Sequence, residues 1–137
     1  TLRKYPPLIR LERTSAADYK LANTNITLRA GQVVEIPIYA VHHSEHNFPN
    51  PEQFLPDRFL PENKAQIKPY TFFPFGSGPR NCVGMKFALM EIKLGLAMLI
   101  CAFKFGVSKG TQIPMKFNTI TPFLATNFNY LKVEKRK

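Results

Sequence analysis

Between Met85 and Lys104 the chain carries no proline and a single glycine, Gly95, which makes this the stretch best suited to one long helix. Its first half keeps Lys86, Glu91 and Lys93 among Phe87, Leu89, Met90 and Ile92. Its second half is apolar on nearly every face, and such a helix is expected to be buried within protein. Cys101 lies in that apolar run and reads as a small buried thiol. Upstream, Val33 to Val41 is rich in branched and aromatic residues and predicts a strand, with Pro37 confining it to a sheet edge or a bulge. Leu8 to Thr14, Tyr19 to Leu21 and Ile26 to Leu28 read as shorter extended pieces, the last two joined by the turn chemistry of Asn23-Thr24-Asn25. Residues 1 to 5 read as the last turn of a helix that Pro6-Pro7 stops, because proline disfavours helical geometry in the residue before it.

Residues 43 to 68 are polar and studded with Pro49, Pro51, Pro56 and Pro61, which suits an ordered coil with one-turn helices. Phe48, Phe54 and Phe59 are expected to pin that coil to a core, since disordered segments lack such anchors. Toward the C-terminus, Phe117, Ile120, Phe123, Leu124 and Phe128 suggest a terminal hairpin closed by Tyr130-Leu131-Lys132-Val133, with Glu134 to Lys137 as a frayed tail. There is no internal repeat or low-complexity tract.

Composition changes this picture in three ways. A total of 137 residues, 45% hydrophobic and 20% charged, is ordinary for one soluble domain. Twelve prolines forbid long regular elements over much of the chain before residue 85. A formal net charge of +10 predicts attraction to something acidic, whether nucleic acid, anionic membrane or an acidic protein face. The basic residues are scattered and form no nucleic-acid fold signature, so a nucleic-acid module is disfavoured. The two cysteines build neither a disulfide framework nor a paired zinc motif. The longest apolar run, Leu94 to Phe103, is too short to span a bilayer.

The chemistry concentrates at Cys82. It stands in a glycine-bearing loop, two residues after Arg80 and just before the long helix. Helix N-terminal amides and a nearby guanidinium both favour the thiolate, which is either a nucleophile or a soft metal ligand. A nucleophile needs a base, and His42, His43 and His46 could serve only through tertiary folding. A purely structural cysteine fits poorly beside polar Arg80 and Asn81 and small Gly78 and Gly84.

Phe75, Gly78, Arg80, Cys82 and Gly84 match every fixed position of Phe-x-x-Gly-x-Arg-x-Cys-x-Gly, and the loop thereby resembles the haem-binding signature of the cytochrome P450 family. Pro51-Glu52-Gln53-Phe54-Leu55-Pro56-Asp57-Arg58-Phe59 is similar to that family's Pro-Glu-x-Phe-x-Pro-x-Arg-Phe meander. The resemblance implies an α+β fold, mainly α, of which this chain would be the C-terminal portion. Residues 1–5 would be the end of the Glu-x-x-Arg helix, 8–41 a β-rich segment and 43–70 the meander. Residues 75–84 would be the haem loop, 85–104 the proximal helix and 105–137 the terminal β region.

Roles follow from the resemblance. Cys82 would be the axial ligand of haem b, iron protoporphyrin IX. Gly78 and Gly84 would leave room for the macrocycle, Phe75 would shield the sulfur, and Arg80 and Arg13 would pair with propionates. Arg3 and Arg58 would belong to a buried structural triad whose glutamate would fall just before Thr1. Leu8, Ile9, Pro122 and Phe123 would line a substrate pocket, with ordinary core as the alternative. His42 falls at a polar position on the family's haem side, with a satisfied turn histidine as the alternative. The family's chemistry inserts one oxygen atom into a lipophilic small molecule, using NADPH electrons delivered by NADPH-cytochrome P450 reductase, with cytochrome b5 as a further donor. Lys86, Lys93, Lys64 and Lys68 would face the reductase. The pattern around Arg10 to Arg13 and Gly78 to Met85 resembles the microsomal clan of xenobiotic-metabolising enzymes. That clan implies an anchored protein on the cytoplasmic face of the endoplasmic reticulum. The oxygen-activating helix, most pocket segments and an anchor are not in these residues, so the chain alone is expected to be inactive.

Overall fold

The computed structural model describes residues 1–118, 120–126 and 128–136. The chain divides into two compact units, Thr1–Pro74 and Phe75–Lys137, each described by itself.

In the first unit, strand β1 (Leu11–Thr14) pairs antiparallel with β4 (Val33–Ile36), in a register that sets Leu11 opposite Ile36 and Arg13 opposite Val34. These four residues share the half-buried face, and Glu12 and Glu35 stand opposite each other on the solvent face. Like charges directly across a ladder repel, and Arg10 offsets this by ion-pairing with Glu12 at 3.6 Å and Glu35 at 3.7 Å. A second hairpin pairs β2 (Tyr19–Lys20) with β3 (Thr27–Leu28). Asn23, in the turn between them, takes a left-handed φ of 60° that asparagine tolerates.

The strand expected over residues 33 to 41 stops at Ile36. Pro37 has no N–H to give the ladder, and its φ of −81° instead starts helix α1 (Ile38–His42). Ile38 and His42, one helical turn apart, are both fully buried. Phe48, Phe73, Pro6 and Arg3 complete this core. Residues 1 to 5 form a single turn, closed by the Tyr5 N–H on the Thr1 carbonyl at 2.9 Å. The coil after His43 holds two one-turn helices, at Pro56–Phe59 and Lys64–Gln66. Of its three expected anchors only Phe48 is buried. Phe54 is 59% exposed, and Phe59 packs one edge on Phe72 with ring centroids 4.7 Å apart.

In the second unit, helix α2 (Met85–Ala102) starts after Gly84 and ends where Phe103 turns extended. Strand β5 (Phe103–Val107) follows at once and pairs antiparallel with β6 (Leu131–Lys135). Three expectations are corrected here. The terminal strand finds its partner at residues 103–107, not among Phe117 to Phe128, because alternation marks a strand without naming its neighbour. Glu134 and Lys135 belong to β6, and the Arg136 N–H reaches the Ala102 carbonyl at 2.8 Å, so this end is paired rather than frayed; Lys137 lies outside the described residues. The apolar half of α2 is open: Leu94, Met98 and Ile100 are exposed, as is Cys101. A helix apolar on every face needs cover, and the described residues do not supply it. No helix among the described residues is long and apolar enough to cross a membrane.

Candidate functional site

The loop ahead of α2 closes on itself. The Cys82 N–H donates to the Phe75 carbonyl at 2.9 Å, the Asn81 N–H to the Gly78 carbonyl at 3.1 Å, and the Met85 N–H to the Cys82 carbonyl at 3.3 Å. Gly76 and Gly78 both hold φ at 78°, a left-handed backbone that costs a side-chain-bearing residue about 1–2 kcal/mol. Ala88 donates to the Gly84 carbonyl at 2.9 Å, so α2 winds up directly behind the cysteine. The Cys82 thiol is free and exposed, Val83 beside it is wholly exposed, and Phe75 is half-buried.

A flat prosthetic group can be tested against this geometry. A Cβ built at Gly78 would meet nothing within 4 Å, and one at Gly84 would touch only the Cys82 sulfur, at 4.0 Å. The space beside both glycines is therefore open. Among the described residues, no three His, Cys, Asp or Glu side chains gather to hold a bare metal ion. A single soft sulfur donor suits a metal that brings its other ligands with it, and a haem does so. The residues fit the group.

A second constellation lies in the first unit. Arg3 is 5% exposed; its Nη1 donates to the His42 carbonyl at 2.7 Å and its Nη2 to the Pro51 carbonyl at 2.5 Å. The guanidinium also lies over the Phe48 ring, 5.4 Å from the centroid. Burial, then the charge of nearby Arg58, hold the Arg3 pKa below its ordinary value, while Glu52 partly opposes them. Arg58 Nη2 donates to the Pro49 carbonyl at 2.5 Å and the Asn50 carbonyl at 3.0 Å. Its Nε is buried and has no partner among the described residues. Two guanidinium groups thus converge on the carbonyls of residues 49 to 53, with one buried donor unanswered.

The remaining sequence-derived candidates are spread over both units. Arg13 is half-buried on β1, its Nη1 on the Glu12 carbonyl at 2.7 Å. Leu8 and Ile9 are half-buried, and the Ile9 carbonyl accepts the Tyr39 N–H at 3.0 Å. Pro122 and Phe123 are exposed in the long connection between β5 and β6, and Arg80 is exposed in the loop. Lys86 and Lys93 are exposed on α2, whereas Lys68 donates to the His46 carbonyl at 2.8 Å. Two cavities of about 360 Å³ each are lined by meander residues such as Phe48, Arg58, Phe59 and Ile67, and by none of the four pocket candidates.

His42 is the residue whose weight the sequence hid. It is no turn histidine: it ends α1, fully buried, and its Nε2 accepts the Phe73 N–H at 3.1 Å. Its ring stacks on Phe72 at 5.5 Å and meets the Phe73 ring edge-on at 5.4 Å. Because Nε2 accepts, the neutral ring carries its proton on Nδ1, which has no partner among the described residues. Burial pushes its pKa down to about 4, with smaller opposed effects from the Arg3 hydrogen bond and from the His43 and Arg3 charges. The missed signal was the spacing of Ile38 and His42, which would have shown had residues 38 to 42 been read as helix.

The family profile for cytochrome P450 matches residues 1–132. The chain is 51% identical over 117 residues to cytochrome P450 9e2 of Blattella germanica, an alignment covering 85% of this chain and 22% of the relative. It is 49% identical over 118 residues to cytochrome P450 3A2 of Rattus norvegicus, covering 86% and 23%. It is 43% identical over 126 residues to probable cytochrome P450 6a13 of Drosophila melanogaster, covering 92% and 26%. The chain belongs to the cytochrome P450 family and spans about a quarter of the length of these curated relatives.

Proposed function

We propose that these residues are the C-terminal, haem-ligating part of a cytochrome P450 monooxygenase, with Cys82 as the thiolate ligand. The observation that carries this reading is the self-closed loop, which offers one exposed, free thiol at the start of α2 with open space beside Gly78 and Gly84. When bound, haem supplies the redox centre at which dioxygen is reduced, one oxygen atom passing to a lipophilic substrate and the other to water.

The chain's own residues hold that group and its surroundings. Cys82 ligates the iron, Phe75 limits water near the sulfur, and Arg80 and Arg13 receive the propionates through charge-assisted hydrogen bonds. Arg3 and Arg58 lock the meander. The unanswered Arg58 Nε supports a carboxylate partner from elsewhere in the full-length protein. Leu8, Ile9, Pro122 and Phe123 contribute to the substrate pocket. Lys86 and Lys93, with Lys64 and Lys68, offer a basic surface to the acidic face of NADPH-cytochrome P450 reductase, and cytochrome b5 is a further electron donor. The full-length protein works at the cytoplasmic face of the endoplasmic reticulum membrane on xenobiotic or endogenous lipophilic molecules, such as steroids or fatty acids.

The exposed apolar half of α2 favours a second statement, that the 137 residues alone do not assemble a working site. One experiment addresses both. The ferrous carbon-monoxide spectrum is recorded for this chain and for the full-length protein carrying it. A thiolate-type band is expected only in the long form, and it should vanish in Cys82→Ala. A band retained in that variant would overturn the ligand assignment, and a band in the short form would overturn the statement that it is incompetent.

A further inference from the structure

The geometry points to a ligand site on the meander, in which Lys64, Lys68 and Tyr70 receive a small organic carboxylate with an aromatic body. The site lies wholly within the first unit and does not rest on the reading of Cys82 as a haem ligand.

One of the meander cavities, about 360 Å³, has Phe59, Ile67 and Phe72 as its apolar lining, with Lys64, Lys68 and Tyr70 beside them. Cavities that hold small organic molecules are built this way, from an apolar lining and a few polar groups that fix orientation. The lining is tied to the buried core: Phe59 and Phe72 meet with ring centroids 4.7 Å apart, and Phe72 stacks at 5.5 Å on the fully buried His42. The backbone that carries the lysines is held as well, by the Lys64 N–H on the Leu60 carbonyl at 2.9 Å and the Ile67 N–H on the Lys64 carbonyl at 3.2 Å. Lys68 Nζ donates to His46 Nε2 at 2.9 Å and to the His46 carbonyl at 2.8 Å, which engages two of its three N–H groups. None of the residues lining the cavity is acidic, and neither lysine forms an ion pair with an acid among the described residues. Two ammonium groups thus stand at an apolar cleft without a counter-charge, and a carboxylate supplies one through charge-assisted hydrogen bonds.

Tyr70 points to a ligand independently. In Lys68-Pro69-Tyr70-Thr71 the Thr71 N–H reaches the Lys68 carbonyl at 3.3 Å, and the Thr71 hydroxyl donates to the same carbonyl at 2.7 Å. Pro69 takes the second position of this turn and Tyr70 the third, at a φ of 59°, a left-handed backbone that glycine ordinarily supplies. Residues strained in this way cluster at ligand clamps. Here the strained residue is a bulky one, and it is 82% exposed at the cavity instead of being packed into the core. Its ring offers a flat face against which an aromatic body can stack while the carboxylate meets the lysines.

The test titrates the full-length protein with naphthoate, with its neutral counterpart naphthalenemethanol and with polyglutamate. The methyl NMR signal of Ile67, which lines the cavity, places the reading at this cleft. Naphthoate is expected to shift that signal saturably, and naphthalenemethanol to bind about tenfold more weakly or worse. Lys64→Gln should weaken naphthoate by a similar factor. Tyr70→Gly should weaken it too, and because glycine accepts the left-handed backbone, that loss cannot be put down to misfolding. Tyr70→Phe keeps the ring and should bind as the parent does. Absence of a saturable shift with naphthoate, equal affinity for the charged and neutral probes, or unchanged affinity in Lys64→Gln and Tyr70→Gly would each overturn the proposal. A shift with polyglutamate and none with naphthoate would overturn it in favour of an acidic polypeptide at the same lysines.

Discussion

At the scale of single residues, the first unit places two ionisable side chains where water cannot reach them, and each has a measurable consequence. His42 is fully buried with a pKa of about 4, against about 6.5 in an unfolded chain. Between those values the unfolded chain binds the proton that the folded one refuses, so stability contributed by neutral His42 is complete above pH 6.5 and is lost as pH falls toward 4. The loss is on the order of 3 kcal/mol by the usual conversion of a pKa shift. Urea titrations at intervals across that range should show it in the parent and not in His42→Gln. Arg3 behaves differently, because its charge is retained and its hydrogen bonds carry the cost. Arg3→Met removes the donor from the His42 and Pro51 carbonyls and should destabilise the folded protein by about 2–4 kcal/mol, read as a lower urea midpoint at unchanged slope. Arg3→Lys should recover little, since an ammonium cannot span both carbonyls in one plane.

At the scale of elements, the loop and the helix behind it were legible because both are written locally. The spacing of Phe75, Gly78, Arg80, Cys82 and Gly84 is a short-range pattern, and the proline-free stretch from Met85 to Lys104 predicts the helix that runs from Met85 to Ala102. What was not legible depends on distant partners. Pro37 reads as an edge or bulge position within a strand, whereas the chain turns helical there and packs Ile38 and His42 into a core with Arg3, Phe48 and Phe73. The β5–β6 pairing joins residues separated by the whole 108–130 connection, which no local alternation can specify. Gly78 makes the local case testable. Its φ of 78° strains any substituent, yet a Cβ there meets nothing within 4 Å. Gly78→Ala should therefore cost about 1–2 kcal/mol in apo stability and nothing more. If the open space beside it receives the macrocycle, the same substitution should reduce haem retention further than that strain explains, as measured by haem transfer to an acceptor protein.

At the scale of the whole molecule, burial is the property that 137 residues could not announce, because it belongs to what surrounds an element and not to the element itself. The sequence marks α2 as a helix for a protein interior, whereas Leu94 is 62% exposed, Met98 65% and Ile100 52%. The orphaned Arg58 Nε makes the same point for a polar group. Both features would be answered by further chain around them, as the proposed function supposes, and this sequence covers 22–26% of the relatives compared. Met98→Lys separates an exposed helix from a covered one. In the isolated chain a lysine at this position can reach water, so its effect on thermal unfolding should stay within about 0.5 kcal/mol. In the full-length protein the same ammonium would have to be buried without a partner, at a cost of several kcal/mol, and the variant should accumulate poorly or lose its thiolate-type spectrum. Equal, small effects in the two contexts would mean that this face of α2 stays open to solvent in the complete protein as well.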